Sequence, residues 1–302
     1  MGQSRSSLGA LFKAMRPKQW IKNLILFAGF VFTMNDQWRP FTPSMWSTLA
    51  RSAAGFVLFS LLSSSVYLIN DVLDADKDRQ HPRKRHRPIA AGHLSPVVAV
   101  VVAILLMIGT LIGGYVLSPT FAAVAGGYLV MQFAYSFVLK EIVLVDIFII
   151  AIGFVMRAVS GAVVIGAEIS PWLYIVTLLG ALFLGLCKRR NELLLLESDA
   201  GKHRKILEMY TPSLLDSLIS VASSATIMAY SLYTFTSPKL PHNNLMMLTI
   251  PLVIFGLFRY TYLAHRENAG GSPEEVFLRD KPLIGTIVLW IVGTGIILGL
   301  RH

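Results

Sequence analysis

An all-α, polytopic membrane protein is the fold class this sequence predicts, and three observations lead there. The 302 residues are 54% hydrophobic and only 15% charged, with a mean hydropathy of +0.61, a balance soluble domains rarely reach. About nine apolar stretches are long enough for a hydrocarbon core some 30 Å thick, which takes roughly 20 helical residues each. Finally, 21 of the 27 Lys and Arg fall in the N-terminal tail or in the loops after the second, fourth, sixth and eighth stretches. By the positive-inside rule those segments are cytoplasmic and the C-terminus is external.

In chain order the spans are expected near 20–36, 47–69, 96–117, 119–138, 142–166, 171–188, 213–236, 244–263 and 282–300. Residues 1–302 form a single integral membrane domain on this reading. Segment 1–19 is its cytoplasmic N-terminal part, and 70–95, 188–212 and 264–281 are cytoplasmic loops. Arg5, Lys13, Arg16, Lys18 and Lys22 precede the first apolar run without a small-residue cleavage site, which favours a retained first helix. Ser95-Pro96, Ser118-Pro119, Ser170-Pro171 and Thr211-Pro212 each place a capping hydroxyl before a proline, as helix starts do. Ser272-Pro273-Glu274-Glu275 resembles a capping box. Cys187 is the sole cysteine, so no intramolecular disulfide forms, and His81, His86 and His93 lack a zinc spacing. The net charge of +10 reads as topology and attraction to lipid or phosphate. Its short clusters between apolar spans speak against nucleic-acid binding.

The chemistry gathers in Val66 to Ser95, where an apolar helix runs into a block of charge. On a helix Asn70, Asp74 and Asp78 stack on one face with Asp71 beside them. Carboxylates this close repel unless a cation intervenes. Magnesium suits them, because it takes hard oxygen ligands and bridges a few carboxylates to substrate phosphates. Arg79, Arg83, Lys84, Arg85 and Arg87 follow at once with the opposite sign. Acids for a metal and bases for phosphate in one loop point to a metal-chelated diphosphate.

The Asn-Asp-x-x-Asp-x-x-x-Asp spacing from Asn70 to Asp78 resembles the first aspartate-rich motif of the UbiA-type prenyltransferase superfamily. Its continuation, Pro82-x-Lys84-x-x-Arg87-Pro88-Ile89-Ala90-Ala91-Gly92, is similar as well. Arg16-Pro17-Lys18-Gln19-Trp20-Ile21-Lys22-Asn23 resembles the opening of one branch, the polyprenyl-phosphate phosphoribosyltransferases, although a basic interfacial anchor with a tryptophan also accounts for it. Tyr135-x-x-x-Leu139-Lys140 precedes Asp146, where other members carry paired acids; the single acid fits the same branch. An acid inside an apolar span costs about 2.5–3.5 kcal/mol on insertion scales, so Asp146 should face a cavity or a partner. Lys188-Arg189-Arg190-Asn191-Glu192 resembles the branch's Lys-Arg-x-x-Glu-Leu, and is also what a topology signal with a helix salt bridge looks like. Arg157 lies about 16 Å along the helix from Asp146 and must pair or face water.

The resemblance implies a bacterial inner-membrane enzyme with a cytoplasm-facing cavity. It would join 5-phosphoribosyl 1-diphosphate to a polyprenyl phosphate with Mg2+, for cell-wall arabinan. Asp71, Asp74, Asp78 and Asp146 would be catalytic, and Asn70, Asp71, Asp74 and Asp78 would hold the metal. Lys18, Lys22, Asn23, Lys84, Arg87, Tyr135, Lys140, Arg157, Lys188, Arg189 and Glu192 would bind substrate. Two other readings stand beside it: transfer from a prenyl diphosphate to an aromatic or quinone-precursor acceptor, and a transporter or lipid-binding protein. Lipid chain length and oligomeric state, a homo-oligomer included, stay open.

Overall fold

The computed structural model describes residues 7–80, 84–197, 205–241, 243–266, 276–277 and 279–300. It is a helical bundle; among the described residues the only β feature is an isolated bridge between Met34 and Trp38. A short helix α1 (Ser7–Ala14) leads into a 3-10 helix (Pro17–Leu26) and α2 (Phe27–Phe32). There follow α3 (Pro43–Leu73), α4 (Ala75–Gln80), α5 (Pro96–Leu117), α6 (Pro119–Phe137) and α7 (Val145–Val164). The chain closes with α8 (Pro171–Glu197), α9 (Pro212–Thr236), α10 (Ile250–Arg266) and α11 (Lys281–Gly299). Seven segments are long and apolar enough to cross a bilayer among the described residues: α3, α5, α7, α8, α9, the stretch Leu245–Arg266 ending in α10, and α11.

Two expected spans come out differently. Segment 119–138 is the 19-residue helix α6, whose polar Gln132 and Ser136 and glycine pair Gly126-Gly127 dilute its apolar character. Segment 20–36 is ten residues of 3-10 helix followed by six of α-helix. A 3-10 helix rises about 2.0 Å per residue against about 1.5 Å, so the polar-rich first ten residues are drawn out more than an α-helix would be. The stretched segment packs on α3 and α7. It lies so close to α7 that a Cβ on Gly161 would come within 1.9 Å of the Leu26 carbonyl oxygen. Small residues at such seams are how membrane helices gain backbone contact.

Helix starts follow the serine–proline and threonine–proline chemistry in part. Ser118 Oγ accepts from Phe121 N at 3.3 Å and Thr211 Oγ1 from Leu214 N at 3.2 Å. Ser95 sits at its N-cap without a side-chain bond. Asp280 caps α11 through Leu283 N at 2.9 Å and is gripped by both Arg259 Nε (3.1 Å) and Nη2 (2.8 Å), which holds its carboxyl below the ordinary value. The capping box at 272–275, together with Pro82, Arg83, Lys202 and Arg204, lies outside the described residues.

Length positions the functional end. At about 1.5 Å per residue, α3 is roughly 46 Å long and α8 roughly 40 Å, well beyond a hydrocarbon core. The C-terminal turns of both helices therefore project from it, carrying Asn70 and Asp71 on α3 and Lys188 to Glu192 on α8. Where a loop was expected to open at 188, α8 runs on through Glu197, with Glu192 paired at helical spacing to both Lys188 and Arg189.

Candidate active site

Asp74 ends α3 as its C-cap, yet the helical ladder continues across the break. Asp74 N donates to Asn70 O (2.9 Å) and Asp78 N to Asp74 O (2.8 Å). Asn70, Asp74 and Asp78 are thus stacked as their spacing requires. The ion pairing groups the acids another way: Arg87 Nη1 bridges Asp71 Oδ1 at 3.1 Å and Asp78 Oδ2 at 2.6 Å. Positions seven apart return to nearly the same helix face, which is what lets one guanidinium reach both. Asp71, 2% exposed, also pairs with Arg16. Arg16 adopts a left-handed backbone (φ 54°) that costs a non-glycine residue roughly 1–2 kcal/mol, and its guanidinium stacks on the Tyr67 ring at 4.9 Å. Asn70 Oδ1 accepts from Ser136 Oγ at 2.8 Å, tying the ends of α3 and α6 together.

A second cluster forms around Asp146, in the first turn of α7 and wholly buried. Arg189 on α8, 3% exposed, pairs with Asp146 and with Glu192. Tyr210 donates to Asp146 Oδ1 (2.9 Å) and accepts from Leu144 N (2.7 Å). Leu144 too has a positive φ, 67°. Burial, then the bond to Asp146, pushes the Tyr210 phenol up to about 12. Tyr135, one residue from the Ser136 that meets Asn70, lies within electrostatic reach of Arg189.

Lys188 pairs loosely with Glu192, at 3.9 Å. With Lys22 it lines a cleft of about 220 Å3 whose remaining walls are apolar, among them Ile25, Ile150, Phe154, Leu184 and Phe277. Lys140 is half-buried on the single turn Leu139–Glu141 between α6 and α7, Lys84 half-buried on the turn Lys84–His86, and Lys18 exposed on the 3-10 helix.

Two expected substrate contacts are engaged inside the protein. Arg157 Nε donates to Asn23 Oδ1 (2.7 Å), Nη1 to Gly153 O (2.7 Å) and Nη2 to Tyr128 OH (2.8 Å), and its plane lies over Phe59, Tyr128 and Phe154. Asn23 in turn donates to Ser60 Oγ at 2.9 Å, and Trp20 Nε1 to Ser64 Oγ at 3.0 Å. Asn23 and Arg157 thus hold the 3-10 helix onto α3 and α7, and Trp20 serves as a tether more than an interfacial anchor.

Among the described residues, no three His, Cys, Asp or Glu side chains are placed to hold a metal alone. The donor set nevertheless fits magnesium: Asp71 and Asp78 already share one cationic partner, and this ion commonly takes one or two carboxylates and completes its shell with water and substrate phosphate. Arg16, Ser136 and Tyr210 join the site without having been singled out for it. Arg16 lies within a motif the sequence displays; nothing local marks Ser136 or Tyr210.

The model of the UbiA prenyltransferase family matches residues 24–279. The decaprenyl-phosphate phosphoribosyltransferase of Mycobacterium tuberculosis is 34% identical over 288 residues, 95% of this chain and 94% of that protein. Its Corynebacterium glutamicum counterpart is 36% identical over 285 residues, covering 93% and 84%. A UbiA homologue from Archaeoglobus fulgidus, solved with DMAPP and Mg2+, superposes with a TM-score of 0.72 over 96% of this chain and 99% of its own; at 17% identity it speaks for the fold.

Proposed function

The chain belongs to the UbiA prenyltransferase family, and on that footing we propose that it transfers 5-phosphoribosyl from 5-phosphoribosyl 1-diphosphate to a polyprenyl phosphate of decaprenyl type. Diphosphate is released, and the product serves cell-wall arabinan precursor synthesis. Near full-length identity to two decaprenyl-phosphate phosphoribosyltransferases supports this substrate pair.

The observation that carries the reading is the presence of two distinct anion-receptive regions. The Asp71–Asp78–Arg87 cluster suits a diphosphate arriving with a cation. Lys22 and Lys188, above an otherwise apolar cleft, suit a phosphate with a long hydrocarbon tail. An aromatic acceptor would need no such lysine pair. Arg189 holds Asp146 as a partner, so the position where other members carry paired acids is not spare for a second metal.

Magnesium, when bound, would neutralise charge on the departing diphosphate. Asp71 and Asp78 would hold it, with Asn70 and Asp74 next to them on the helix. Arg87, Lys84 and Lys140 would grip the donor's phosphates, Lys22 and Lys188 the acceptor's, with Lys18 at the approach and Tyr135 aligning one of them. Asp146 and Glu192 fix Arg189 between the two. An oxygen of the lipid phosphate attacks the ribosyl C1, and the C1–O bond breaks with its electron pair leaving on the diphosphate. That phosphate is already ionised, so no residue has to remove a proton, and positioning and electrostatics supply the catalysis. The site faces the cytoplasm of a bacterial inner membrane on this reading, which the distribution of 21 of 27 basic residues supports.

Purified protein in lipid nanodiscs tests this. Radiolabelled phosphoribosyl diphosphate with polyprenyl phosphate should yield a ribosylated lipid, whereas prenyl diphosphate with 4-hydroxybenzoate should yield nothing. A prenylated ring would overturn the assignment.

A further inference from the structure

Helix α1 turns one narrow face to the protein and the other to its surroundings. Ala10 and Ala14, four apart, join a buried cluster with Leu68 of α3 and Ala75 of α4. Leu8 and Phe12, likewise four apart, are 75% and 59% exposed, and Lys13 beside Phe12 is exposed as well. The apolar side runs on: the Phe12 ring meets Trp20 edge-on at 6.4 Å, and Leu24 further along the 3-10 helix is exposed again. Charge here has one sign. Residues 1–35 carry Arg5, Lys13, Arg16, Lys18 and Lys22 and no acid; Asp36 is the first. Depth follows from α3, which outlasts a hydrocarbon core of about 30 Å by roughly 16 Å. Leu68 lies about 8 Å short of the C-terminal end of that helix, so α1 is held where α3 emerges, at headgroup level.

We infer that α1 is a binding site for anionic phospholipid: Leu8 and Phe12 enter the edge of the leaflet, and Lys13 meets its phosphates. An amphipathic helix with a basic rim holds a membrane surface by this combination of buried apolar area and headgroup attraction. The contact braces a joint. Arg16, left-handed between α1 and the 3-10 helix, is spanned by Arg16 N to Lys13 O (3.2 Å) and Gln19 N to Arg16 O (2.8 Å). Ser64 Oγ donates to Met15 O at 2.9 Å and fixes the inner side of the joint, while α1 and the leaflet fix the outer. Because Arg16 pairs with Asp71, lipid charge acting on Lys13 reaches the Asp71 cluster three residues further on. The inference goes beyond the functional reading above and does not depend on it.

The experiment places the full chain in nanodiscs of phosphatidylcholine, with or without phosphatidylglycerol as the anionic lipid. Leu8→Cys carries a bimane label; Cys187 is wholly buried and out of the reagent's reach. A nitroxide on an upper acyl carbon of the lipid should quench the label and aqueous iodide should not. Phosphatidylglycerol should raise the lipid quenching about twofold, and adding Lys13→Gln should abolish that rise. In the unlabelled protein, hydrogen exchange across Met15 to Gln19 should slow about threefold on adding phosphatidylglycerol, and Lys13→Gln should lose the slowing. A label open to iodide and untouched by the nitroxide overturns the inference. So does quenching or exchange that ignores lipid charge. Inorganic phosphate that slows exchange equally in phosphatidylcholine alone overturns the assignment to a lipid surface.

Discussion

The two ion clusters use the same chemistry in opposite ways. Around Asp71 the arginines are reachable: the side chains of Arg16 and Arg87 are 28% and 26% exposed, and Arg87 divides itself between two carboxylates. Around Asp146 the centre is closed: Arg189 is 3% exposed, Asp146 is fully buried, and Tyr210 ties the acid to the backbone of Leu144, while Glu192 on the other side of Arg189 stays partly exposed. The Asp71 and Asp78 carboxylates are themselves buried, but Arg16 and Arg87 each keep a solvent-reachable side that an arriving phosphate can meet. The sealed Arg189–Asp146 pair cannot exchange partners, since freeing either member strands a charge in low dielectric. On the proposed function the first cluster meets the donor's diphosphate and the second holds α7 against α8.

That contrast is sharpest in its largest expected effect. Asp71→Asn should cut phosphoribosyl transfer about 10²–10³-fold, the scale of losing one transition-state contact, while lowering the melting temperature less than Asp146→Asn does, because Arg16 and Arg87 keep access to solvent and Arg87 keeps Asp78. Asp146→Asn should do the reverse, destabilising the protein by about 3 kcal/mol because Arg189 loses its buried partner. A variant that melts normally but is inactive would break the comparison and return Asp146 to the reacting machinery. Lys140→Ala should raise the KM of a phosphorylated substrate several-fold where Leu139→Ala leaves it unchanged, as expected of a charge facing phosphate. Equal effects would reduce Lys140 to a packing residue.

The smallest effect belongs to Tyr210. Tyr210→Phe should cost about 1 kcal/mol of stability, one buried hydrogen bond. Its phenol is raised from 10.0 to about 12, so folding favours the protonated form. That contribution is whole below pH 10 and disappears as pH rises toward 12. Thermal unfolding followed across this window should show a loss in wild type that Tyr210→Phe lacks.

The legible parts of the molecule are the local ones. Asn70 to Arg87 spans eighteen positions, so helical periodicity and charge order disclose most of the first cluster. Lys188 and Glu192 were expected to share a helix face, as they do, whereas Arg189, read as a phosphate ligand, is found paired with Asp146 and Glu192. Tyr210, 64 residues beyond Asp146 on the short stretch before α9, carried no local signal. Asn23 read as a candidate ligand through its motif, and Arg157 because a charge in an apolar span must pair or face water; in the structure they bond to each other, 134 residues apart. The first span hid its geometry for another reason. Its apolar run is short, and nothing in the residues marks the ten-residue 3-10 helix that precedes α2.

Arg157 has a consequence at a distance. All three of its described polar partners, Asn23, Gly153 and Tyr128, are uncharged, and no carboxylate pairs with it among the described residues. Its full positive charge therefore remains as a source of potential inside the bundle, about 16 Å along α7 from Asp146. At an effective dielectric of about 20, a unit charge contributes roughly 1 kcal/mol to a negative charge at that range, with little ionic screening along a buried path. The two phosphorylated substrates would be drawn toward each other's company by a residue that touches neither.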